Sequence, residues 1–407
     1  MNIFKNGLIL CTALSATFAL ATGEISDVSV TSADGKVTVS YAISEDAVVT
    51  PRFYADGERI ADSRVTLLSG DICRKVAATS GSARRSFTWL AHKEDIPEAE
   101  RGAFRDAKVE LTAWAIKAPP PYMVVDLAGG DAVRYYASAA AVPGGVTNDT
   151  YKTEKLLLFK VPAKHVEWYM GSPENEADRS SDETRHKVVL TDDFYLGVYP
   201  VTQRQSERAT GAKCANPSAM SVADDSPMWP TCGFGYNAMR GAGCAPSATP
   251  ATDSILDKWR ASTGVSFDLP TETQWEFAFR AGTTGAYAYG SYAGNRDNSW
   301  TTSNGASGNA LTAVGQFQPN GFGLYDMAGN VWEQVRDRWS QYAFDNSEIA
   351  VVDPLCADMA AEYTLCRGGS YANAAVYTRS AKRYHGLSLT SDSYGLGYRL
   401  MAPAEAR

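Results

Sequence analysis

The sequence predicts an all-β sandwich followed by a larger, irregular α+β domain. Three observations point there. Apolar and polar residues alternate over residues 24–117, a triple proline interrupts the chain in "KAPPPY" (117–122), and the Gly-, Trp- and Tyr-rich remainder contains one clearly capped helix. A chain of 407 residues, 44% apolar and 21% charged, has material for two or three domains with cores of their own. Its net charge of −8 argues against nucleic acid or an anionic membrane surface as a partner.

The first element is "MNIFKNGLILCTALSATFALATGE". Lys5 supplies a positive start, Gly7 to Leu20 an apolar run, and Ala19-Leu20-Ala21 a small-x-small cleavage pattern. We read residues 1–21 as an export signal, so the mature chain is expected to be secreted or periplasmic. No other apolar run is long enough to span a bilayer.

Residues 24–117 read as short strands. In "DVSVTSADGKVTVSYAI", Val28 and Val30, then Val37, Val39 and Tyr41, alternate on either side of an Asp34-Gly35 turn. "RRSFTWLA" and "KVELTAWAI" continue the pattern, as in the fibronectin- or immunoglobulin-type modules of exported proteins. Residues 118–150 read as a linker, and residues 151–407 as the second domain.

In that domain, "LPTETQWEFAFRAG" places Thr271 as an N-cap, Gln274 three residues on as the capping-box partner, and Trp275, Ala278 and Phe279 on one face, with Gly282 as the stop. Thr202 to Thr210, ended by Gly211, is a second helical candidate without an apolar face. The acidic run Glu174, Glu176, Asp178, Asp182, Glu183 reads as a solvated face. Trp275, Trp332 and Trp339 read as packing anchors, and His186 as a structural histidine.

Histidines 92, 165, 186 and 385 are scattered, with no metal-ligand spacing. Without Cys11, six cysteines remain, at 73, 214, 232, 244, 356 and 366. An even count in an exported chain favours disulfides, and Cys356 with Cys366 is the first pair to expect because the two bracket a short segment. Around the turn in "GLYDMAGNVWE", Asp326 and Glu333 offer hard oxygens suited to Ca²⁺.

Four phrases occur in order: "YMGSPENEADRSSDETRHKVVLTDDFYLGVYPVTQ" (169–203), "FDLPTETQWEFAFRAGTTGAYAYG" (267–290), "PNGFGLYDMAGNVWEQVRDRW" (319–339) and "RGGSYANAAVYTRSAKR…GLGYRL" (367–400). Together they resemble the sulfatase-modifying-factor family, whose best known member is the formylglycine-generating enzyme. The resemblance implies an irregular α+β fold related to C-type lectins. It also implies structural calcium ligands at Asp326, Gly329, Val331 and Glu333.

The same resemblance implies an oxidase that turns a sulfatase cysteine into an aldehyde with O₂, through two thiolates binding Cu(I) just after the Gly368-Gly369-Ser370 turn. Those positions read Asn373 and, within Ala375 to Thr378, no cysteine, so copper is not expected. Two readings follow. In one the domain is a non-catalytic scaffold whose tract 371–394 binds a protein or glycan, through Tyr371, Asn373, Tyr377, Thr378, Tyr384, His385 and Tyr394. In the other it is a divergent formylglycine-generating oxidase or sulfatase-maturation factor that acts on a sulfatase and uses Cys356 and Cys366 instead.

Overall fold

A computed structural model describes residues 23–94, 107–129, 132–212, 226–304, 311–340, 349–393 and 395–406. The expected export signal, Cys214 and Tyr394 lie outside the described residues. The chain forms two compact units. One comprises the chain up to Val124, Val133–Asn148 and the chain from Ala404. The other comprises Val125–Ala132 and Asp149–Pro403. Among the described residues, no helix is long and apolar enough to cross a membrane.

The first unit is built from strands β1 (Ile25–Ala33), β2 (Lys36–Ile43), β3 (Ala47–Ala55), β4 (Glu58–Arg59), β5 (Leu68–Gly70), β6 (Lys75–Val76), β7 (Arg85–Trp89) and β8 (Lys108–Ala115). One sheet has the order β1-β2-β7-β5. In the other, β3 is central, pairing with β8 along its length and with β4 and β6 at its ends. The alternation in β2 buries Val37, Val39, Tyr41 and Ile43, which meet Phe53 of β3 and Phe87 and Trp89 of β7 in one core. The Asp34-Gly35 turn holds both residues at positive φ, as a two-residue hairpin requires. A Cβ on Gly35 would lie 2.4 Å from that of His92. Val28 is only partly buried, because β1 slips register between Ser26 and Ser29.

The stretch expected as a linker is structured. It carries β9 (Tyr122–Asp126), β10 (Val133–Tyr136) and short 3₁₀ turns, with Pro119 and Pro120 buried.

The second unit contains β11 (Lys155–Val161), β12 (Glu167–Met170), β13 (His186–Val189) and β14 (Phe194–Gly197), then helices α1 (Gln203–Thr210), α2 (Tyr236–Arg240), α3 (Ile255–Thr263), α4 (Glu272–Arg280) and α5 (Tyr292–Asp297). Strands β15 (Trp332–Arg338), β16 (Val351–Val352), β17 (Thr364–Arg367), β18 (Leu396–Tyr398) and β19 (Met401–Pro403) complete it. The strands form β11-β14-β19, β12-β13-β16 and β17-β15-β18. These small sheets among long loops make the irregular α+β unit that the sequence predicts.

Helix α4 carries the expected capping box between Thr271 and Gln274 and buries Trp275, Ala278 and Phe279. The residue in the left-handed conformation at its end is Ala281, one before the expected Gly282. Helix α1 also has its box, Thr202 with Gln205, and ends at left-handed Gly211. It lacks an apolar face because its buried side is polar: Gln205 Nε2 donates to the carbonyls of Tyr151 and Lys155 at 2.9 and 2.7 Å. A satisfied amide can be buried as an alkyl group can.

Candidate functional site

The chain enters the tract 371–394 from β17, which pairs with β15. At Gly368 and Gly369 the backbone takes positive φ, and a Cβ on Gly368 would meet the Met327 carbonyl at 2.8 Å. The chain then folds tightly. Ser370 Oγ donates to Asn373 Oδ1 at 2.6 Å, the Asn373 N–H donates to the Ser370 carbonyl, and Asn373 O accepts from the Thr302 N–H.

The family resemblance looked for one thiolate at Asn373 and for the second within Ala375 to Thr378. Asn373 is half-buried and bonded to its own turn. Thr378 closes a 3₁₀ turn (Ala375–Thr378) and is fully buried. Its hydroxyl donates to Ala375 O at 2.7 Å and accepts from Asn295 Nδ2 at 2.7 Å.

Two of the residues assigned to a binding surface are therefore not on one. Thr378 is spent on that internal network. Tyr371 packs with Cys232, Leu311 and Val331, and burial raises its hydroxyl pKa. Tyr377, Tyr384 and His385 do reach the surface. Tyr384 stacks on Trp332 with ring centres 4.7 Å apart, Tyr377 meets the same indole edge-on, and His385 lies 4.0 Å from the Trp339 ring. The Lys382 ammonium stands over Tyr377.

The arginines in and just before the tract point inward. Arg379 holds Glu183 through two hydrogen bonds of 2.8 and 2.7 Å and Glu176 through a third. Arg383 grips both oxygens of Glu272, and Arg367 bonds Glu276, which also pairs with Arg280. All three arginines are buried. Burial alone would raise the Glu276 carboxyl, but Arg280 and Arg367 outweigh it and hold its pKa below the ordinary range. The acidic run expected as a solvated face is thus partly interior, because Glu183 and Glu176 face Arg379. Sequence reading missed this network. Its one local trace is the i, i+4 spacing of Glu272, Glu276 and Arg280 on the half of α4 that carries Trp275 and Phe279.

Of the four positions expected to hold calcium, Glu333 fits it poorly. Both Glu333 oxygens are taken by the Arg399 guanidinium, and Oε2 also accepts from Trp275 Nε1 at 2.7 Å. A cation on Glu333 would sit against a buried positive charge. Asp326 Oδ2 accepts from the Gly315 N–H, and burial pushes its pKa up to about 6. Gly329 and Val331 lie in the turn between the two acids, where the Val331 N–H donates to Gly329 O. Among the described residues no three His, Cys, Asp or Glu side chains form a metal-sized cluster.

The expected Cys356–Cys366 disulfide is also absent. Cys356 and Cys366 are both free thiols. Cys366 pairs with Gln334 on β15, whereas the Cys356 carbonyl accepts from the Arg338 N–H, four residues along the same strand. That offset is about 13 Å, beyond disulfide reach. Cys366 is buried with Trp332 and Leu396, which drives its thiol pKa upward, and Cys356 Sγ lies 2.9 Å from Ser340 Oγ.

Comparison with known proteins adds four findings. A model of the sulfatase-modifying factor enzyme 1-like domain matches residues 160–403. The formylglycine-generating enzyme of Mycobacterium tuberculosis is 37% identical over 123 residues, 27% of this chain and 41% of that protein. The inactive C-alpha-formylglycine-generating enzyme 2 of Bos taurus is 38% identical over 95 residues, 21% of this chain and 30% of that protein. Each match spans less than half of the relative's length. The solved structure of PvdO from Pseudomonas aeruginosa aligns over 64% of this chain and 98% of that one, at 23% identity and a TM-score of 0.49.

Proposed function

The chain belongs to the sulfatase-modifying-factor family, and from that premise we propose that this member is an exported binding or scaffold protein with no oxidase activity. One observation carries the reading. Where the family resemblance puts its two thiolates stand Asn373, bonded within its turn, and the stretch Ala375–Thr378, which holds no cysteine and ends in the buried Thr378. An amide or hydroxyl oxygen is a hard ligand that cannot replace a thiolate toward Cu(I). The cattle relative's printed name, which calls it inactive, gives the family a precedent.

The surface proposed to bind is smaller than the tract. It comprises Tyr377, Tyr384, His385 and Asn373, backed by Trp332 and Trp339. Stacked rings offer contact area that is already ordered, suited to a protein or glycan partner. Export rests on the N-terminal pattern of Lys5 and the apolar run to Leu20.

The test is an oxidase assay. Purified chain is incubated with copper, O₂ and a Cys-x-Pro-x-Arg peptide, and the peptide is weighed. An unchanged mass is expected; conversion of thiol to aldehyde would overturn the reading. The alternative, a divergent oxidase using Cys356 and Cys366, predicts loss of that conversion in Cys366→Ser.

A further inference from the structure

Away from the tract, three guanidinium groups gather around one carboxylate. Arg240 ends α2, Arg260 lies on α3 and Arg336 on β15, and all three face Asp268. Arg240 is fully buried. It bonds Asp268 Oδ1, and its Nη2 donates to the carbonyls of Ala245, Pro246 and Ala248. Asp268 Oδ1 also accepts from the Leu269 N–H. The buried acid is therefore already matched by one buried base.

Arg260 and Arg336 are the excess. Arg260 Nη2 and Arg336 Nε each stand 3.7 Å from Asp268 Oδ2, so these two nitrogens are no farther apart than twice that distance. Each side chain is anchored through Nε, Arg260 to Phe267 O and Arg336 to Pro246 O. Among the described residues, the Nη groups of both make no hydrogen bond. Their side chains are 23% and 21% exposed, enough to be reached from solvent. Burial lowers the Arg260 pKa, and Arg240 and Arg336 lower it further against the opposing pull of Asp268 and Asp257. Asp257, which accepts from the Asp253 N–H, offsets part of the charge on Arg260.

Two guanidinium forks held this close, with donors unused, match an anion that presents several acceptor oxygens. We propose that Arg260 and Arg336 form an oxyanion site, with their Nη groups receiving a sulfate or phosphate group. A tetrahedral anion offers oxygens to forks arriving from a helix and from a strand. A carboxylate presents its two oxygens in one plane. The donors come from 240–268 and 336, outside residues 371–394, so the site stands whether or not that tract binds a partner.

The test is calorimetry on the full chain at constant ionic strength, with chloride exchanged for the added anion. Sodium sulfate, sodium phosphate and methyl phosphate are titrated separately. Saturable binding with one site per chain is expected. Arg260→Gln and Arg336→Gln should each weaken it roughly tenfold or more. Lys258→Gln, at an exposed position on α3, should leave it unchanged. Binding of methyl phosphate as tightly as phosphate supports a group carried on a larger ligand, and binding of the inorganic ions alone supports a free anion. If the glutamine variants do not fold, Arg260→Lys and Arg336→Lys keep the charge and lose the fork, and they too should bind more weakly. No saturable binding by the unaltered chain would overturn the site. So would unchanged binding in a folded double variant.

Discussion

The two units differ in how far charge enters their interiors. In the first, β2, β3 and β7 bury Val37, Val39, Phe53, Phe87 and Trp89 in an apolar core, with Phe53 and Trp89 rings 4.6 Å apart. In the second, Arg240, Arg367, Arg379 and Arg399 are among the largest fully buried side chains, each matched to an acid. Apolar burial is non-directional and tolerates approximate partners. A buried ion pair is stable only with its own counter-charge in place, so the second unit carries more specificity and more risk.

Breaking one element of each interior gives the largest expected effects. Arg367→Ala leaves Glu276 with one base fewer and should cost the second unit about 3–5 kcal/mol. Phe53→Ala opens a cavity in the first unit at about the same cost. Two-transition denaturation should show each variant moving only its own transition; coupled movement would mean that the interiors are not independent. A double-mutant cycle sharpens the contrast. Arg383→Met or Glu272→Met alone should be strongly destabilising, and the two together much less so.

Next in size is a pH effect confined to the second unit. Burial first, and then the nearby Glu272, pushes the Asp337 carboxyl up to about 7. Between the ordinary aspartate range and that value the folded state holds an extra proton, so stability falls as pH rises through the window. Asp337→Asn should flatten this fall, by up to about 1.4 kcal/mol per pH unit, in denaturation midpoints at pH 4, 5.5 and 7. Glu276 has the opposite sign. Its pKa is depressed, so its contribution is present above the unfolded value and lost as pH drops through the folded one. An unaltered slope in the Asp337→Asn variant would show that Asp337 does not titrate in that window.

Smaller effects test the turns and the surface. Thr202→Ala removes an N-cap whose hydroxyl also donates to Lys152 O at 2.7 Å, and should cost about 1 kcal/mol. Tyr377→Ala, at an exposed ring, should change stability by less than about 0.5 kcal/mol. If it also abolishes binding of a partner, the surface role stands apart from folding.

Much of the scaffold was legible. The Asp34-Gly35 hairpin, the period-two strands and the Thr271 and Thr202 caps are local signals, because turn conformation and capping depend on residues within four positions. The register slip in β1 was not legible, nor were the strands inside 118–150, whose pairing depends on distant chain. At the site, the missing cysteines at 373 and 375–378 were readable directly. Which neighbours are surface was not: Tyr371 and Thr378 resemble Tyr377 in composition and differ only in what packs over them.

Residue order alone determined the family blocks, the capped helices, the alternating strands and the absence of a thiol pair after Gly369. Tertiary structure decided where the charges went. Arg379 meets Glu183 across 196 positions and Arg383 meets Glu272 across 111, so neither local spacing nor composition could reveal them as pairs. It also gave Glu333 to Arg399 and left Arg260 and Arg336 with unused donors. The physical reason is range. Caps and turns are set within a few residues, whereas a buried charge is decided by whichever counter-charge the fold brings within about 3 Å.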